Sequence, residues 1–172
     1  MKVKYKYFLL LVVSVIFFSY QNIKEADNKI INDKDVQENQ SLREKIDKIN
    51  KEIEDLMLKG AYEDILPYYS NDIIISPALQ PSVAGINAIK ELYREDKKIG
   101  LRHHSFSSNI EDLWECSDKV YERGTFGLSL STKDHPKPVA YHGSYFTIWQ
   151  KEKEDNFKIK YLIYNLDFNP YK

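Results

Sequence analysis

The sequence predicts an α+β domain, because a helical pattern and a strand pattern occupy different parts of the chain. Residues 141–169 contain two runs rich in β-branched and aromatic residues on either side of a charged turn at 151–156, which is typical of a long β-hairpin. Earlier in the chain, apolar residues recur at spacings of four and three, which indicates one face of an α-helix: Leu42, Ile46, Ile49, Ile53 and Leu56. Helices packed on a sheet would bury both sets of side chains.

The charge composition excludes nucleic acid as an expected partner. The 172 residues include 25 basic and 26 acidic residues, which gives a net charge of −1. A chain without a basic excess has little with which to neutralise phosphates. Cys116 is the only cysteine, so it cannot form an internal disulfide, and no Cys or His spacing is typical of a metal site. We therefore expect no metal or other cofactor.

The first twenty residues have the pattern of a secretory signal peptide. A basic start, Lys2–Lys6, precedes an uninterrupted apolar run, Phe8–Phe18. As a helix this run would be about 17 Å long, shorter than the roughly 30 Å hydrocarbon core of a bilayer. Residues 17–20 contain no pair of small residues of the kind found at cleavage sites. We predict a periplasmic or extracellular protein, with residues 1–20 as a signal peptide or an uncleaved membrane anchor.

A polar linker is predicted for residues 21–40 and the folded domain for residues 41–172. The linker has few large apolar side chains, so it cannot bury enough surface to fold by itself. Ser41 and Glu44 form a capping box for the first helix, and Gly60 is a suitable residue to end it. An exposed coiled coil would show the same apolar stripe, but this stripe is too short to sustain one.

The remaining elements follow from turn signals and local composition. A short helix is predicted at Tyr62–Tyr69, interrupted at Pro67, and a third helix opens at Gly85 and ends by Gly100. Strands are predicted where β-branched and aromatic residues cluster: Asp72–Ser76, Arg102–Trp114, Lys119–Ser131, Val139–Lys151 and Asn156–Asn169.

Several short motifs occur in an order that resembles a known superfamily. They follow one another along the chain as Lys59–Ile65, Tyr68–Asp72, Gly85–Ile89, Gly124–Phe126, Gly143–Trp149, Phe157–Ile159 and Asn165–Asp167. Their order and spacing make residues 42–169 similar to the SnoaL-like branch of the nuclear transport factor two-like superfamily. The resemblance is to largely uncharacterised members that are related to ketosteroid isomerase and polyketide cyclase.

The resemblance implies a cone-shaped, cystatin-like or ketosteroid-isomerase-like fold, in which three N-terminal helices pack on a curved antiparallel sheet. A pocket between the sheet and the helices would take a small, partly apolar ligand, because concave apolar cavities with a few polar groups are the usual small-molecule sites. Such relatives often form homodimers through the convex face of the sheet. A homodimer is therefore expected here as well.

The isomerase mechanism is not expected to carry over to this chain. The resemblance would place a carboxylate base before the proline that closes the first strand, where this chain has Ser76 before Pro77. It would also place a tyrosine seven residues before the helix-ending glycine, where this chain has Ile53. Proton abstraction next to a carbonyl needs both a base and a donor to the developing oxyanion. The sequence therefore argues against steroid-type isomerase activity.

Three polar residues are candidate catalytic groups. Asn165 and Asp167 fall on the same strand face as Ile159 by the two-residue period, so an amide and an acid would border an apolar row. His103 begins a strand and could exchange a proton near neutral pH. The alternative is that Asn165 and Asp167 are solvated where the strand leaves the sheet, and that His103 is a surface or hydrogen-bonded histidine.

Four further residues are predicted to contact a ligand: Tyr69, Glu122, Tyr145 and Trp149. The aromatic residues would form pocket walls with polar tips, whereas the alternative assigns them to the core. Glu122 and Arg123 point to opposite faces of a strand, so at most one of them can line the pocket. The alternative for this pair is a cross-strand ion pair at the surface. Trp114 and Cys116 are assigned to packing.

These observations favour an exported small-molecule-binding domain that forms a homodimer. Isomerase, cyclase or hydrolase-like chemistry is one interpretation of its pocket. A non-catalytic binding or assembly module, in which side chains fill the cone, is the other. The two interpretations differ in whether Asn165, Asp167 and a histidine converge in an open cavity.

Overall fold

A computed structural model describes residues 39–153 and 156–167 of the chain. The chain divides into two units, residues 1–42 and 43–172, and the description below concerns the second unit and the helix that leads into it. The predicted signal peptide and nearly all of the predicted linker lie outside the described residues. No helix in the described ranges combines the length and the apolar composition that a membrane span requires.

Three helical segments are described. The first, α1, covers residues 39–59 and therefore includes Ser41, so the capping-box prediction is wrong. A 3₁₀ helix follows at Tyr62–Tyr68, and the second α-helix, α2, covers Ile86–Ile99. Glycines with positive φ angles flank α2, Gly85 at 84° and Gly100 at 68°, where a side chain would strain the backbone. The predicted second and third helices are confirmed.

Within the part of the chain that the structure describes, six strands form one sheet. In chain order they are β1 (Tyr69–Ser76), β2 (Val83–Ala84), β3 (Arg102–Cys116), β4 (Lys119–Ser131), β5 (Val139–Lys151) and β6 (Phe157–Leu166). Their order across the sheet is β2-β1-β6-β5-β4-β3. The predicted long strands are confirmed, β1 begins earlier than predicted, and β2 was not predicted.

Two parts of the predicted architecture are corrected. The sheet is mixed, because β1 pairs with β6 in parallel while the other neighbours are antiparallel. The helices do not all precede the strands, since α2 follows β1 and β2. The parallel pairing was not predictable because β1 is separated from β6 by α2 and four strands, and no local pattern specifies which strand it will join. The position of α2 after β1 agrees with the predicted order of the strand Asp72–Ser76 and the helix that opens at Gly85.

The helix α1 lies on one face of the sheet, which we call the inner face. Asn50 of α1 bonds to Glu122 of β4, and Glu54 of α1 accepts hydrogen bonds from Ser108 of β3. The opposite face is called the outer face. The core is almost entirely apolar and includes Ile46, Ile53, Ile65, Ile73, Ile75, Ile89, Ile110, Val120, Trp149, Phe157 and Ile159.

Irregular register bends the sheet at its long strands. The pairing of β3 with β4 shifts between His103 and Ser105 and again between Ile110 and Asp112. The pairing of β5 with β6 shifts beside Trp149. Such bulges bend a strand and increase its twist, and they also change which face the following side chains occupy. This second effect decides the position of one predicted site residue.

Candidate functional site

A buried carboxyl group, Glu122, organises the inner face beneath α1. Three neutral donors reach its two oxygens: Tyr145 Oη at 2.5 Å, Trp149 Nε1 at 2.6 Å and Asn50 Nδ2 at 2.8 Å. Glu122 and Trp149 are fully buried. We call these four residues the Glu122 network. Because β4 and β5 are paired strands and α1 crosses them, the network joins three elements.

Burial sets the electrostatics of this network. It raises the pKa of the Glu122 carboxyl, while the hydrogen bonds from Tyr145, Trp149 and Asn50 act in the opposite direction. The charge of Asp47 adds to the upward shift. Burial and the adjacent Glu122 together raise the pKa of the Tyr145 hydroxyl. Tyr145 therefore remains a hydrogen-bond donor at physiological pH.

The alternative of a surface ion pair for Glu122 and Arg123 is wrong for Glu122, which is buried. Arg123 lies on the outer face, where its guanidinium contacts Glu111 at 2.5 Å and Asp112 at 2.6 Å. Successive residues of a strand point to opposite faces, so burying Glu122 places Arg123 in solvent.

The four predicted ligand-contacting residues fall into two groups. Glu122, Tyr145 and Trp149 come together, but their polar groups are occupied by one another. Tyr69 lies elsewhere on the inner side, where its hydroxyl bonds to that of Tyr93 at 2.7 Å, and burial raises the pKa of Tyr69 to about 12. Whether any of the four contacts a ligand stays a prediction.

The three predicted catalytic residues do not converge. Tyr145 of the inner face pairs with Tyr164, so Asn165, one residue later, points to the outer face. Asp167 is exposed beyond the end of β6, and its N–H bonds to the carbonyl of His142. His103 is half-buried and its Nδ1 lies 3.2 Å from the hydroxyl of Tyr62.

The register shift explains why Asn165 and Ile159 are on different faces. Ile159 pairs with Trp149, whereas Tyr161 pairs with Ile148, so one residue is skipped between them. A two-residue period counted through this position reverses the face of every later residue. An enzymatic pocket built on Asn165, Asp167 and His103 therefore has no geometric support.

Sequence reasoning missed a group of half-buried side chains around the C-terminal half of α2. Five of them define what we call the aromatic cleft: Asp96, His103, Phe106, Phe126 and Tyr164. They come from α2, β3, β4 and β6. The sequence pattern of α2 could have indicated this group. Ile89, Tyr93 and Asp96 follow one another at spacings of four and three, so a carboxylate continues the buried face of the helix.

Two ring contacts occur within the aromatic cleft, each between a different pair of its members. The centroids of His103 and Phe106 lie 6.2 Å apart, and those of Phe126 and Tyr164 lie 5.9 Å apart in an edge-to-face arrangement. Phe126 pairs with Ser108, two residues beyond Phe106, so the two phenylalanines are diagonal neighbours on the inner face. The stacked rings of Tyr62 and Tyr93, buried next to His103, complete the wall.

Burial shifts the pKa of each titratable member of the cleft towards its neutral form. The pKa of the Asp96 carboxyl and that of the Tyr164 hydroxyl are raised, and the charge of Asp96 contributes to the shift at Tyr164. The pKa of His103 is lowered by burial and by the nearby His104. His103 is therefore neutral at pH 7.

The described residues contain no group of three or more His, Cys, Asp or Glu side chains arranged to hold a metal ion. Cys116, assigned to packing by its sequence context, is exposed. It ends β3 at the turn into β4, where the chain leaves the core.

Comparisons with solved structures place this geometry in a known fold. A protein of the nuclear transport factor two-like superfamily from Salmonella enterica matches with a TM-score of 0.63 and 8% identity, over 76% of this chain and 94% of that one. A ketosteroid isomerase-like protein from Erwinia carotovora matches with a TM-score of 0.59 and 10% identity, over 66% and 87%. This chain has the nuclear transport factor two-like fold. At such low sequence identity, the structural similarity shows the fold alone.

A third solved structure with this fold carries a small molecule. It is a protein from Catenulispora acidiphila in complex with S-DNPA, and it matches with a TM-score of 0.62 and 10% identity, over 74% of this chain and 94% of that one. A scan of protein-family models finds no match, and a search of curated proteins finds none.

The outer face of the nuclear transport factor two-like sheet presents apolar side chains to solvent. Trp114 stacks on Tyr121 at 5.6 Å, and both lie close to Phe146. Trp114 and Ile163 are each 43% exposed. Beside them is an open groove of about 380 Å³, which is lined by Ser76, Pro77, Arg123, Ser144, Tyr145, Phe146, Ile163, Tyr164 and Asn165.

Proposed function

We propose that this chain is an exported small-molecule-binding domain of the SnoaL-like type and that its ligand occupies the aromatic cleft. One observation carries the proposal: Asp96, His103, Phe106, Phe126 and Tyr164 come from four elements and remain half-buried on the helix side of the sheet. Because these side chains are partly exposed, they offer an apolar surface against which a ligand would pack. Apolar walls with a few polar groups are what such a site needs.

In this proposal the Glu122 network has a structural role and does not contact the ligand. Its donors and acceptors are engaged with one another beneath α1, so a ligand would have to break them to bind there. Half-buried Tyr145 links this network to the neighbouring strand through its pairing with Tyr164. A hydrogen-bonded network next to the strand that carries Tyr164 would help to hold that side chain in place for a ligand.

A ligand screen on the folded domain tests this proposal. Small, partly apolar compounds would be screened by ligand-observed NMR, and native mass spectrometry would detect any molecule that co-purifies. The affinity of a bound compound is expected to fall at least about tenfold in Phe126→Ala, because burial of an aromatic side chain contributes about 1.5–3 kcal/mol.

Thr125→Ala is the matched control, since Thr125 is adjacent on β4 and faces the opposite side. It should leave the affinity unchanged. Equal affinities in Phe126→Ala and wild type would show that the compound binds outside the cleft. A screen without any binder would contradict the proposal as a whole.

We also propose that two copies associate through the outer face. Exposed Trp114 and Ile163, together with the rings of Tyr121 and Phe146, form an apolar surface on strands β3 to β6. Apolar patches rimmed by charged residues, here Arg123 and its acidic partners, mark protein contacts more often than free surface. Self-association is the second candidate role, and it is compatible with the first because the two faces are different.

Sedimentation velocity tests the association. Ile163→Asp is expected to convert a dimer to a monomer, because it would place a charge within the apolar surface. Leu79→Asp is the control: Leu79 is 88% exposed in the loop after β1. A monomeric wild-type protein, or a dimer that survives Ile163→Asp, would contradict the outer-face interface.

Export is the third part of the proposal and rests on the sequence of residues 1–20. N-terminal sequencing of protein recovered from outside the cytoplasm is expected to find a start after residue 18. An intact N-terminus in a membrane fraction would instead support the uncleaved anchor. Recovery of the full-length protein from the cytoplasm alone would contradict export.

A further inference from the structure

Trp114 and Tyr121 form an upright pair of rings on the outer face. They are direct partners in the pairing of β3 with β4, and their rings stack with centroids 5.6 Å apart and planes at 11°. Neighbouring strands lie about 4.8 Å apart, so two rings that stack across this gap must stand on edge above their strands. Trp114 remains 43% exposed. We call this projecting pair the aromatic ridge.

The groove of about 380 Å³ lies beside the aromatic ridge on the same face, and we call it the outer groove. Phe146 and Ile163 are the large apolar side chains of its lining. Phe146 also adjoins the ridge, because its ring centroid lies 6.1 Å from that of Trp114 and 6.3 Å from that of Tyr121. An apolar projection and an apolar recess therefore share one wall.

Charged residues of opposite sign accompany the ridge and the groove. Glu111 and Asp112 precede the ridge residue Trp114 on β3, whereas Arg123 lines the outer groove. All three charged side chains are exposed, and within one copy Arg123 contacts both carboxylates. A ridge seated in the groove of a second copy would bring each Arg123 towards the acidic pair of the other copy. Charge complementarity therefore favours this placement.

We infer that the occupant of the outer groove is a second copy of this chain, and that each copy inserts its aromatic ridge into the outer groove of the other. The inference rests on the self-association proposed above and adds the residues that meet. A projection and a recess on different parts of a molecule give open-ended assemblies. Here both lie on one face and share Phe146, so the two insertions form together around one twofold axis and close the pair.

A dimer in which like features face one another is the competing arrangement on the same face. It would place the ridge of one copy against the ridge of the other and leave both outer grooves empty. It would also bring Glu111 and Asp112 of the two copies together, where like charges repel.

The single cysteine of the chain distinguishes the two arrangements. Cys116 is exposed and follows Trp114 closely on β3, so it marks the ridge end of the face. Ser82 marks the groove end, because its hydroxyl bonds at 2.8 Å to that of Ser76 in the groove lining. Four strand spacings separate β1 from β3, about 19 Å. A disulfide between these two ends can therefore form only between copies.

Ser82→Cys in the full chain is expected to give a covalent dimer on a non-reducing gel after oxidation with copper phenanthroline in air. Each disulfide forms from one thiol of each copy, and the oxidant takes up the two electrons. The wild-type chain and Ser107→Cys are the controls and should stay uncross-linked. Ser107 is exposed further along β3, on the outer face because its neighbour Ser108 bonds to α1.

Trp114→Ala should raise the dimer dissociation constant at least about tenfold, because buried tryptophans are among the largest contributors to interface affinity. Sedimentation velocity over a dilution series measures the change. Ile99→Ala is the matched control, since Ile99 is 48% exposed but ends α2 rather than lying on the sheet. An unchanged dissociation constant in Trp114→Ala would overturn the ridge contact.

The outcomes separate this inference from the self-association on which it rests. Cross-linking of the wild-type chain through Cys116, or a Ser82→Cys dimer that forms no disulfide, would overturn the insertion of the ridge and leave an outer-face dimer. A ladder of higher oligomers in Ser82→Cys would overturn the closed twofold pair. If the wild-type chain sediments as a monomer at every concentration, the inference and the proposed self-association both fail.

Discussion

Glu122 is fully buried and Asp96 is half-buried, and the two carboxyl groups differ in their hydrogen bonding. Burial raises the pKa of both. Glu122 accepts from three neutral donors, whereas the Asp96 side chain accepts from none of the described residues. A buried polar group stabilises a fold only when it is hydrogen-bonded. The two residues should therefore respond in opposite directions to substitution.

Glu122→Ala is expected to destabilise the domain by at least about 3 kcal/mol, because it leaves three donors without their acceptor. Glu122→Gln keeps one acceptor oxygen and should cost roughly half as much. Urea unfolding measures both. A loss below about 1 kcal/mol for Glu122→Ala would mean that water replaces the carboxyl group.

The same substitutions should flatten the pH dependence of stability. Because the folded chain holds the Glu122 proton more tightly than the unfolded chain, the stabilising contribution is complete below the unfolded pKa. It is lost as the pH rises through the raised folded pKa. Asp134→Asn, in an exposed loop, is the control and should keep the wild-type slope. A variant slope equal to that of wild type would contradict the raised pKa.

Asp96→Asn is expected to stabilise the free domain by about 0.5–1 kcal/mol at neutral pH, since it removes an unpaired charge from the C-terminal turn of α2. The raised pKa has the same sign as that of Glu122, so the gain should disappear as the pH falls below the unfolded pKa. Thermal unfolding at acid and neutral pH measures the difference. Glu95→Gln, at an exposed ion pair, should change stability by less than about 0.5 kcal/mol.

At the scale of elements, α1 is attached to β3 by one buried carboxylate. Glu54 Oε1 accepts from the backbone N–H and from the hydroxyl of Ser108, at 2.6 and 2.5 Å, and Glu54 is 7% exposed. Arg43 adds a bond to the carbonyl of Ile110 on the same strand. Both contacts come from one face of α1, so the helix is oriented on the sheet by polar as well as apolar groups.

Glu54→Ala should destabilise the domain by about 1–3 kcal/mol, because it leaves the half-buried Ser108 N–H without its acceptor. Ser108→Ala should cost less, since that N–H keeps its bond, and the double variant should show coupling. Glu91→Ala, which breaks an exposed pair with Arg94, should have an effect below about 0.5 kcal/mol. Additive effects of Glu54→Ala and Ser108→Ala would contradict a direct link.

At the scale of the whole molecule, the parallel pairing of β1 with β6 closes the longest loop in the fold. Tyr69 of β1 pairs with Ile159 of β6, whereas β3, β4, β5 and β6 pair with their neighbours in the chain. Long loops cost more entropy to close, so sequence-local pairings form earlier in folding. We expect the hairpin strands to form in the transition state and β1 to join afterwards.

Ile73→Ala in β1 is therefore expected to accelerate unfolding with little effect on the folding rate, for a total loss of about 2–5 kcal/mol. Val120→Ala in β4 is the matched change, because both residues are fully buried on the inner face, and it should slow folding. Denaturant dependence of both rates measures this. A slower folding rate in Ile73→Ala would place β1 in the folding nucleus.

Local patterns predicted most of the elements correctly. The apolar stripe of α1, the glycines around α2 and the long runs in β3 to β6 act through residues a few positions apart, and each of these elements is confirmed. The capping box at Ser41 failed because helical residues precede it. The two-residue β2 carries too little pattern to be recognised.

The candidate site was less predictable than the fold, because it depends on which face of a strand each residue occupies and on which residues are buried. Asn165 was predicted to share a face with Ile159 because residues were counted in steps of two along β6. The pairing of β6 with β5 skips one residue beside Ile159, and residue composition does not reveal such a bulge. Glu122 was correctly separated from Arg123 by alternation, but which of the two faces α1 covers is a tertiary property. Asp96 was overlooked because a carboxylate on a helix is usually solvated.

The sequence by itself determined the α+β composition, the positions of the main helices and strands, and the resemblance to the superfamily whose fold the chain has. Only the tertiary structure decided that β1 joins β6 in parallel, that Glu122 is buried among three donors, and that Asp96 is half-buried in the last turn of α2. The physical reason is the distance along the chain between the residues that interact. Helix and strand formation depend on side chains within a few residues of each other, whereas the environment of a charge depends on groups brought together from distant parts of the chain.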